Sequence, residues 1–326
     1  MKPDKLKKRL RWLLALICAG YVIYFLIKNH HDLKLIFDLD PAALCILFFL
    51  SCLSQLLVAF RLRIVIHKCS GVRLMFRQWF KVFILGRFLN LIFPQSGNIY
   101  RSVRLKKDYG ITYTDYISTI ASYFWMDTCL NLMFALLAVC LVDAGLKLGR
   151  FSAVSFLILL ICVIAICPIA LELIFRNTHF KNSCASRVHK KIHEILITTL
   201  NNLRDSRYIA KIFSTAVIAF CYYITALYFC FSVFMIKIPL PALVLFYVIM
   251  RISNTVTITP GNIGLRELAY GIVSSQMSVG LVEGVVISIV MRIVGTLVLF
   301  VFGLMYGGIG LLRDRNEYRV NPKIIN

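Results

Sequence analysis

Six stretches of this chain are too apolar to remain in water. They cover residues 12–27, 41–60, 113–142, 151–175, 212–236 and 281–312. A helix that crosses a bilayer needs about 20 mostly apolar residues. Inside a bilayer the backbone must satisfy its own polar groups, and segments that are apolar on every face do so as helices. The composition agrees. The chain is 60% apolar and 16% charged, against about 45–50% and about 25% in a soluble domain. Its aliphatic and aromatic content excludes a disordered chain. Its size and hydrophobicity exclude a small secreted disulfide scaffold. The expected fold class is all-α: a polytopic membrane protein of about six crossing helices, forming a single integral membrane domain over residues 1–326.

The net charge of +22 is ordered along the chain. Of the 37 Lys and Arg, 28 fall in segments 1–11, 61–81, 101–107, 176–211 and 313–323, and five fall in the alternate loops. Cytoplasmic loops are the ones enriched in Lys and Arg. Six crossings with both termini inside satisfy that rule, in the cytoplasmic membrane of a bacterium or archaeon. The run 12–27 has the basic flank of a signal peptide. No small-residue cleavage site follows it, so an uncleaved anchor is expected. Two shorter apolar stretches, 79–93 and 241–258, end near a proline and a glycine. The first lies between two basic segments, so it should enter and leave from the cytoplasm. The second should enter and leave from the outside. Both are expected to be re-entrant broken helices, tolerated where protein or a water-filled cavity covers them.

Nine of the eleven cysteines lie in the six runs, so buried thiols rather than disulfides are expected. His189 and His193 have the spacing of a metal pair but sit in a Lys-rich stretch without a carboxylate set. Asp38-Leu39-Asp40 resembles a metal-binding DxD, yet Asp40 before Pro41 is better read as a helix cap. No nucleotide-binding G-x-x-x-x-G-K-[ST] occurs. No cofactor, metal ligand or nucleic-acid partner is expected.

The informative feature is a motif that occurs twice. Arg87-Phe88-Leu89-Asn90 is followed by Pro94, Gly97-Asn98-Ile99 and Arg101. Arg251-Ile252-Ser253-Asn254 is followed by Pro260, Gly261-Asn262-Ile263 and Arg266. Each copy sits at the tip of a broken apolar stretch. Three crossings separate them, and an odd number inverts the second copy relative to the first. Inverted repeats with interrupted helices are a transporter signature. Repeat one is placed at about 41–142 and repeat two at about 212–312, with a basic cytoplasmic connector at about 176–211. Proline stops a helix and glycine permits a tight reversal. The helix restarting after Gly97 or Gly261 would aim free N–H groups at an anion, and an Arg fork suits phosphate. Arg101 and Arg266 stand about one turn into those helices; the alternative is that they snorkel or bond neighbouring carbonyls.

Further charges lie within the final runs, where each costs about 2.5–3.5 kcal/mol at the bilayer centre. Asp127 follows Arg101 by 26 residues and Arg292 follows Arg266 by 26. Their equivalent places in the two copies predict that they pair across the repeats. The alternative pairs Asp127 with hydroxyls such as Thr128 or Ser118, and Arg292 with Glu283. Glu267 could compensate Arg266. The substrate-binding candidates are therefore Arg87, Asn90, Gly97, Asn98, Arg101, Asp127, Arg251, Asn254, Gly261, Asn262, Arg266, Glu267, Glu283 and Arg292. No catalytic residue is assigned.

These residues resemble the flippase-like transmembrane family of lysylphosphatidylglycerol synthases. The resemblance rests on Pro94 through Arg101, on Asp127, on Thr259-Pro260-Gly261-Asn262-Ile263-Gly264-Leu265-Arg266-Glu267, and on Arg292, and covers roughly residues 10–312. The chain departs from the family pattern at Ile258, Asn262 and Tyr123-Phe124, which marks a divergent member. The resemblance implies a membrane unit that moves a phospholipid between leaflets, without the soluble aminoacyltransferase domain. The longest polar segment, 176–211, is too short for such a domain. The expected function is translocation or binding of an anionic lipid or lipid-linked glycan, beside envelope-synthesis enzymes. The alternatives are a small membrane enzyme using Asp127 or Glu283 as base, and a non-transporting scaffold.

Overall fold

A computed structural model describes residues 40–92, 96–142, 147–148, 151–177, 192–194, 196–198, 200–201, 205–255, 265–276 and 279–307. Those residues are helical, apart from loops and one two-residue ladder. In chain order the helices are α1 (Pro41–Ser70), α2 (Phe76–Ile92), α3 (Ser96–Tyr109) and α4 (Tyr113–Val142). Then follow α5 (Ala153–Asn177), α6 (Ser206–Val233), α7 (Leu240–Thr255), α8 (Leu265–Gln276) and α9 (Leu281–Met305). The strands Lys147–Leu148 and Phe151–Ser152 pair antiparallel ahead of α5.

Among the described residues, four helices are long and apolar enough to cross a membrane: α1, α4 over Tyr113–Leu141, α6 and α9. The chain is a membrane protein. A fifth expected crossing, 151–175, is helical as α5, whose apolar part is the shorter Leu157–Leu173. The run 12–27 lies outside the described residues. The broken stretches 79–93 and 241–258 become the half-length helices α2 and α7, each followed by a second short helix, α3 or α8.

The caps follow from local chemistry. Asp40 accepts the N–H of Ala42 at 3.1 Å with Pro41 in the first turn. Asp205 accepts the N–H groups of Arg207 and Tyr208 at 3.0 and 3.2 Å and so opens α6. Gly71 ends α1 in the left-handed region, φ 70°, donating to His67 O. In α5, Pro168 has no N–H to offer the carbonyl four residues back. The indole N–H of Trp125 on α4 donates to that carbonyl, Ile164 O, at 2.7 Å.

Along the chain α5 separates two sets of four helices, α1–α4 and α6–α9, and the sets interlock, α7 touching α4 more extensively than α8. Within each set the two short helices pack together, α2 on α3 and α7 on α8. Between the sets the contacts are reciprocal: α7 lies on α4, α2 lies on α9, and α1 lies on α6. Helix α5 packs on α4 and presents Leu159, Val163, Ile166 and Ile169 outward. Trp79 is fully buried and donates its indole N–H to Ala59 O at 2.7 Å, fixing α2 to α1. The α2–α3 contact needs glycine at two places. A Cβ on Gly97 would lie 1.8 Å from the Gly86 carbonyl oxygen, and one on Gly86 would meet the Arg101 side chain at 2.8 Å.

Candidate functional site

The reciprocal packing gathers arginines from both sets. Arg61 of α1 and Arg251 of α7 meet on one carboxylate, Asp127 of α4, and Arg87 of α2 and Arg101 of α3 extend the string beside Arg251. Arg61 donates to Asp127 Oδ1 at 2.8 Å, and Arg251 donates to Asp127 Oδ2. Arg87 is close enough to both Arg101 and Arg251 to feel their charge. Its hydrogen bond goes to a neutral group, the buried Gln55 Oε1, at 2.9 Å. Arg101 also bonds neutral groups, Gly97 O at 3.1 Å and Asn98 Oδ1 at 2.8 Å. Four guanidiniums against one carboxylate leave a formal +3 among the described residues of this centre.

Aromatic rings line the string. Arg87 and Arg101 lie over the Phe83 ring at 5.8 and 5.7 Å. Arg61 lies over Tyr123 at 5.2 Å and Arg251 over Tyr223 at 5.7 Å. Tyr223 in turn stacks on Tyr247. Ring faces attract guanidinium groups without neutralising them. Like charges crowded in a poorly solvated place repel strongly, so an incoming anion would find the centre already organised for it.

The second set has its own smaller group. Glu267 of α8 is buried and accepts from Arg292 of α9 at 2.7 Å. Arg266 donates to Tyr270 Oη at 3.2 Å and lies over that ring at 5.2 Å. Arg292 feels the charge of Arg266 as well as that of Glu267.

Several expectations are corrected here. Asp127 and Arg292 do not pair with each other. Helix α7 packs on α4, which delivers Arg251 to Asp127, while α8 packs on α9 and delivers Glu267 to Arg292. The alternative partners fail too. Thr128 donates to Phe124 O, four residues back, and Arg292 is held by Glu267 rather than Glu283. Glu283 folds over Gly280, in the first turn of α9, where a carboxylate complements the helix dipole. Glu267 serves Arg292 rather than offsetting Arg266 alone. The restarted helix α3 is not wholly open to an anion, because Asn90 Oδ1 accepts the Gly97 N–H at 2.7 Å. Asn98 bonds Arg101, and Tyr116 Oη donates to it at 3.5 Å. Gly261, Asn262 and the side chain of Asn254 lie outside the described residues.

Arg61, Gln55 and Tyr223 were not singled out by sequence, and Tyr123 was noted only as a departure from the family pattern. Arg61 counts among the cytoplasmic charges because it follows the apolar run 41–60. Helix α1 instead continues ten residues beyond that run, and Arg61 is buried there against Asp127. The available signal was helical spacing: Gln55, Ala59, Leu62 and Ile66 mark one buried face of α1 that continues past residue 60. No cluster of three or more His, Cys, Asp or Glu side chains that could hold a metal occurs among the described residues.

A family model for the lysylphosphatidylglycerol synthase TM region matches residues 12–303. No curated protein and no solved structure gives a significant match. The matched span includes every described helix but the last two residues of α9, and so takes in both arginine groups. The chain belongs to the lysylphosphatidylglycerol synthase TM-region family.

Proposed function

We propose that the protein binds the phosphate of an anionic lipid, a phospholipid or a lipid-linked glycan, at the arginine centre and carries it between leaflets. The observation behind this is that Arg61 and Arg251 share the single carboxylate Asp127 while Arg87 and Arg101, beside them, bond only neutral groups. Guanidinium forks match phosphate oxygens. Asp127 holds Arg61 and Arg251 in place, leaving Arg87 and Arg101, whose bonds go to neutral groups, to meet the phosphate. The two halves supply the centre jointly, so relative movement of inverted halves would expose it to one leaflet and then the other. Residues 41–142 and 212–312 are the two repeats on this reading, and α2–α3 and α7–α8 are their re-entrant elements. The protein would lie in a bacterial or archaeal cytoplasmic membrane with both termini inside, near enzymes of envelope synthesis.

Binding of dihexanoyl phosphatidylglycerol to the purified protein, followed by calorimetry, tests the phosphate reading. Wild type should bind it and the zwitterionic choline analogue far less. Arg87→Gln should lose most of the binding. Equal binding of both lipids, unchanged by Arg87→Gln, would refute the proposal.

A further inference from the structure

The surplus charge of the arginine centre limits what it can hold. Four guanidiniums accompany one carboxylate, a formal +3 among the described residues. The helices of the two sets contain four other acids, and each is placed elsewhere. Asp108 pairs with Arg104 at 3.1 Å, Asp115 accepts from the Thr112 hydroxyl at 2.7 Å, Glu267 holds Arg292, and Glu283 lies over Gly280. The segments that join the paired short helices, 93–95 and 256–264, contain no Asp or Glu. Both oxygens of Asp127 are in use, one by Arg61 and one by Arg251. The rings are engaged too, since Phe83, Tyr123 and Tyr223 each have a guanidinium over them. A lipid head bearing an ammonium group would find no carboxylate oxygen to spare, and at these three rings a guanidinium already in place.

The two guanidiniums that bond neutral groups are held together. Arg101 is buried and crosses Gly86, the residue before Arg87, where an added Cβ would meet its Cγ at 2.8 Å and its Nε at 2.9 Å. Both guanidiniums lie over the same Phe83 ring. Beyond Arg101 the string reaches the surface, because Asn98, which accepts from its Nη2, is exposed. An anion arriving there meets like charges crowded in a poorly solvated place, and the relief of their repulsion grows with the charge that the ligand brings. A phosphodiester brings a single negative charge and leaves most of the surplus unmet. A phosphomonoester brings about −1.5 to −2 at pH 7 and three acceptor oxygens, enough to accept from the forks of both arginines. We infer that the centre is built for a lipid whose head is a phosphomonoester or a diphosphate, in preference to a phosphodiester or a head with a cationic amine. This rests on the phosphate reading given above, under which phosphatidylglycerol binds but meets only part of the charge.

Calorimetry on the full-length protein compares dihexanoyl phosphatidic acid with dihexanoyl phosphatidylmethanol, at a pH where both phosphate protons of the acid have left. The chains are the same and both heads are small, so charge is the main difference. Phosphatidic acid should bind about tenfold tighter or more, as one added charge-assisted hydrogen bond would give. Arg101→Gln should cut that ratio severalfold while phosphatidylmethanol still binds, which shows that the variant is folded. Arg101→Lys, which keeps the charge, should retain most of the ratio. Equal binding of the two lipids, with both lost in Arg87→Gln, would overturn the inference and leave the phosphate reading standing. A ratio unchanged by Arg101→Gln would also overturn it, because the preference would then arise outside the arginine pair. Binding of both lipids that survives Arg87→Gln would remove the phosphate reading as well. Inorganic phosphate binding as tightly as phosphatidic acid would overturn the inference in favour of a site for a free anion.

Discussion

Replacing Asp127 by Asn should be the most costly single change in the arginine centre. The carboxylate holds Arg61 at 2.8 Å and Arg251 on its other oxygen. The Arg61 side chain is 4% exposed and that of Arg251 is 23% exposed. Asparagine keeps one carbonyl oxygen but no charge, so the buried Arg61 guanidinium is left without a counter-ion beside the Tyr123 hydroxyl, 3.4 Å away, and its ring. Breaking a buried pair from one side costs about 3–5 kcal/mol. Arg251→Met is milder, because Asp127 keeps Arg61. The loss includes the charged hydrogen bond to Asp127, about 1.5–3 kcal/mol, and the contact with the Tyr223 ring. The two substitutions share an interaction, so a double-mutant cycle should show a coupling of about 0.5–3 kcal/mol. Reversible unfolding in mixed micelles, with denaturing detergent as the titrant, reads all four proteins. Single effects that add to within about 0.5 kcal/mol would refute the shared carboxylate, since that is how independent sites behave. So would Arg251→Met proving worse than Asp127→Asn.

Three further outcomes follow from the packing. Gly97→Ala places a Cβ 1.8 Å from the Gly86 carbonyl oxygen, and overpacking of this kind costs about 1–3 kcal/mol; the detergent-solubilised variant should melt earlier than Gly295→Ala, whose added Cβ meets only the Ser51 hydroxyl, at 3.9 Å. Trp125→Phe leaves Ile164 O without the indole donor that replaces the missing Pro168 N–H, and should cost about 1 kcal/mol in the same unfolding assay. Asp205, outside the spanning helices, is held below the usual carboxylate range by the Lys68 ammonium at 2.5 Å and by two backbone N–H groups. A depressed carboxylate stabilises the fold above its unfolded value, about 3.9, and loses that contribution as pH falls through the lower folded value. Thermal stability of wild type should therefore drop in that acid window, and Asp205→Asn should be weaker above it and flatter within it.

Much of the scaffold is legible in the sequence, because the bilayer reduces the choice of structure to helices of known length. Residues 41–60 and 113–142 lie on long helices, as do 212–236 up to Val233 and 281–312 up to Met305, and Pro94 and Pro260 fall in the gaps between paired short helices. The arginines were legible for a related reason: a charge in an apolar run is expensive and must have a use. Their partners were not. Equal spacing along the chain suggested that Asp127 and Arg292 meet, but partners are chosen by which helices touch. Glu267 reaches Arg292 because α8 and α9 are successive and tightly packed, with Gly284 leaving no room for a Cβ beside the Tyr270 carbonyl. Arg251 reaches Asp127 because α7 crosses to the other set. Arg61 was hidden for the opposite reason. It begins a basic segment, and counting its charge as loop missed that α1 runs on to Ser70 with its buried face intact.

The most direct test is movement of lipid. Vesicles containing the purified protein and a trace of fluorescent phosphatidylglycerol are treated with a reductant that quenches only the outer leaflet. Wild type should make most of the inner-leaflet label accessible within the assay, with a clear preference over a fluorescent phosphatidylcholine, and Arg251→Met should remove that movement while the protein still inserts and elutes as wild type. Label that remains protected as in protein-free vesicles, or that moves equally for both lipids and equally in Arg251→Met, would contradict a translocating arginine centre.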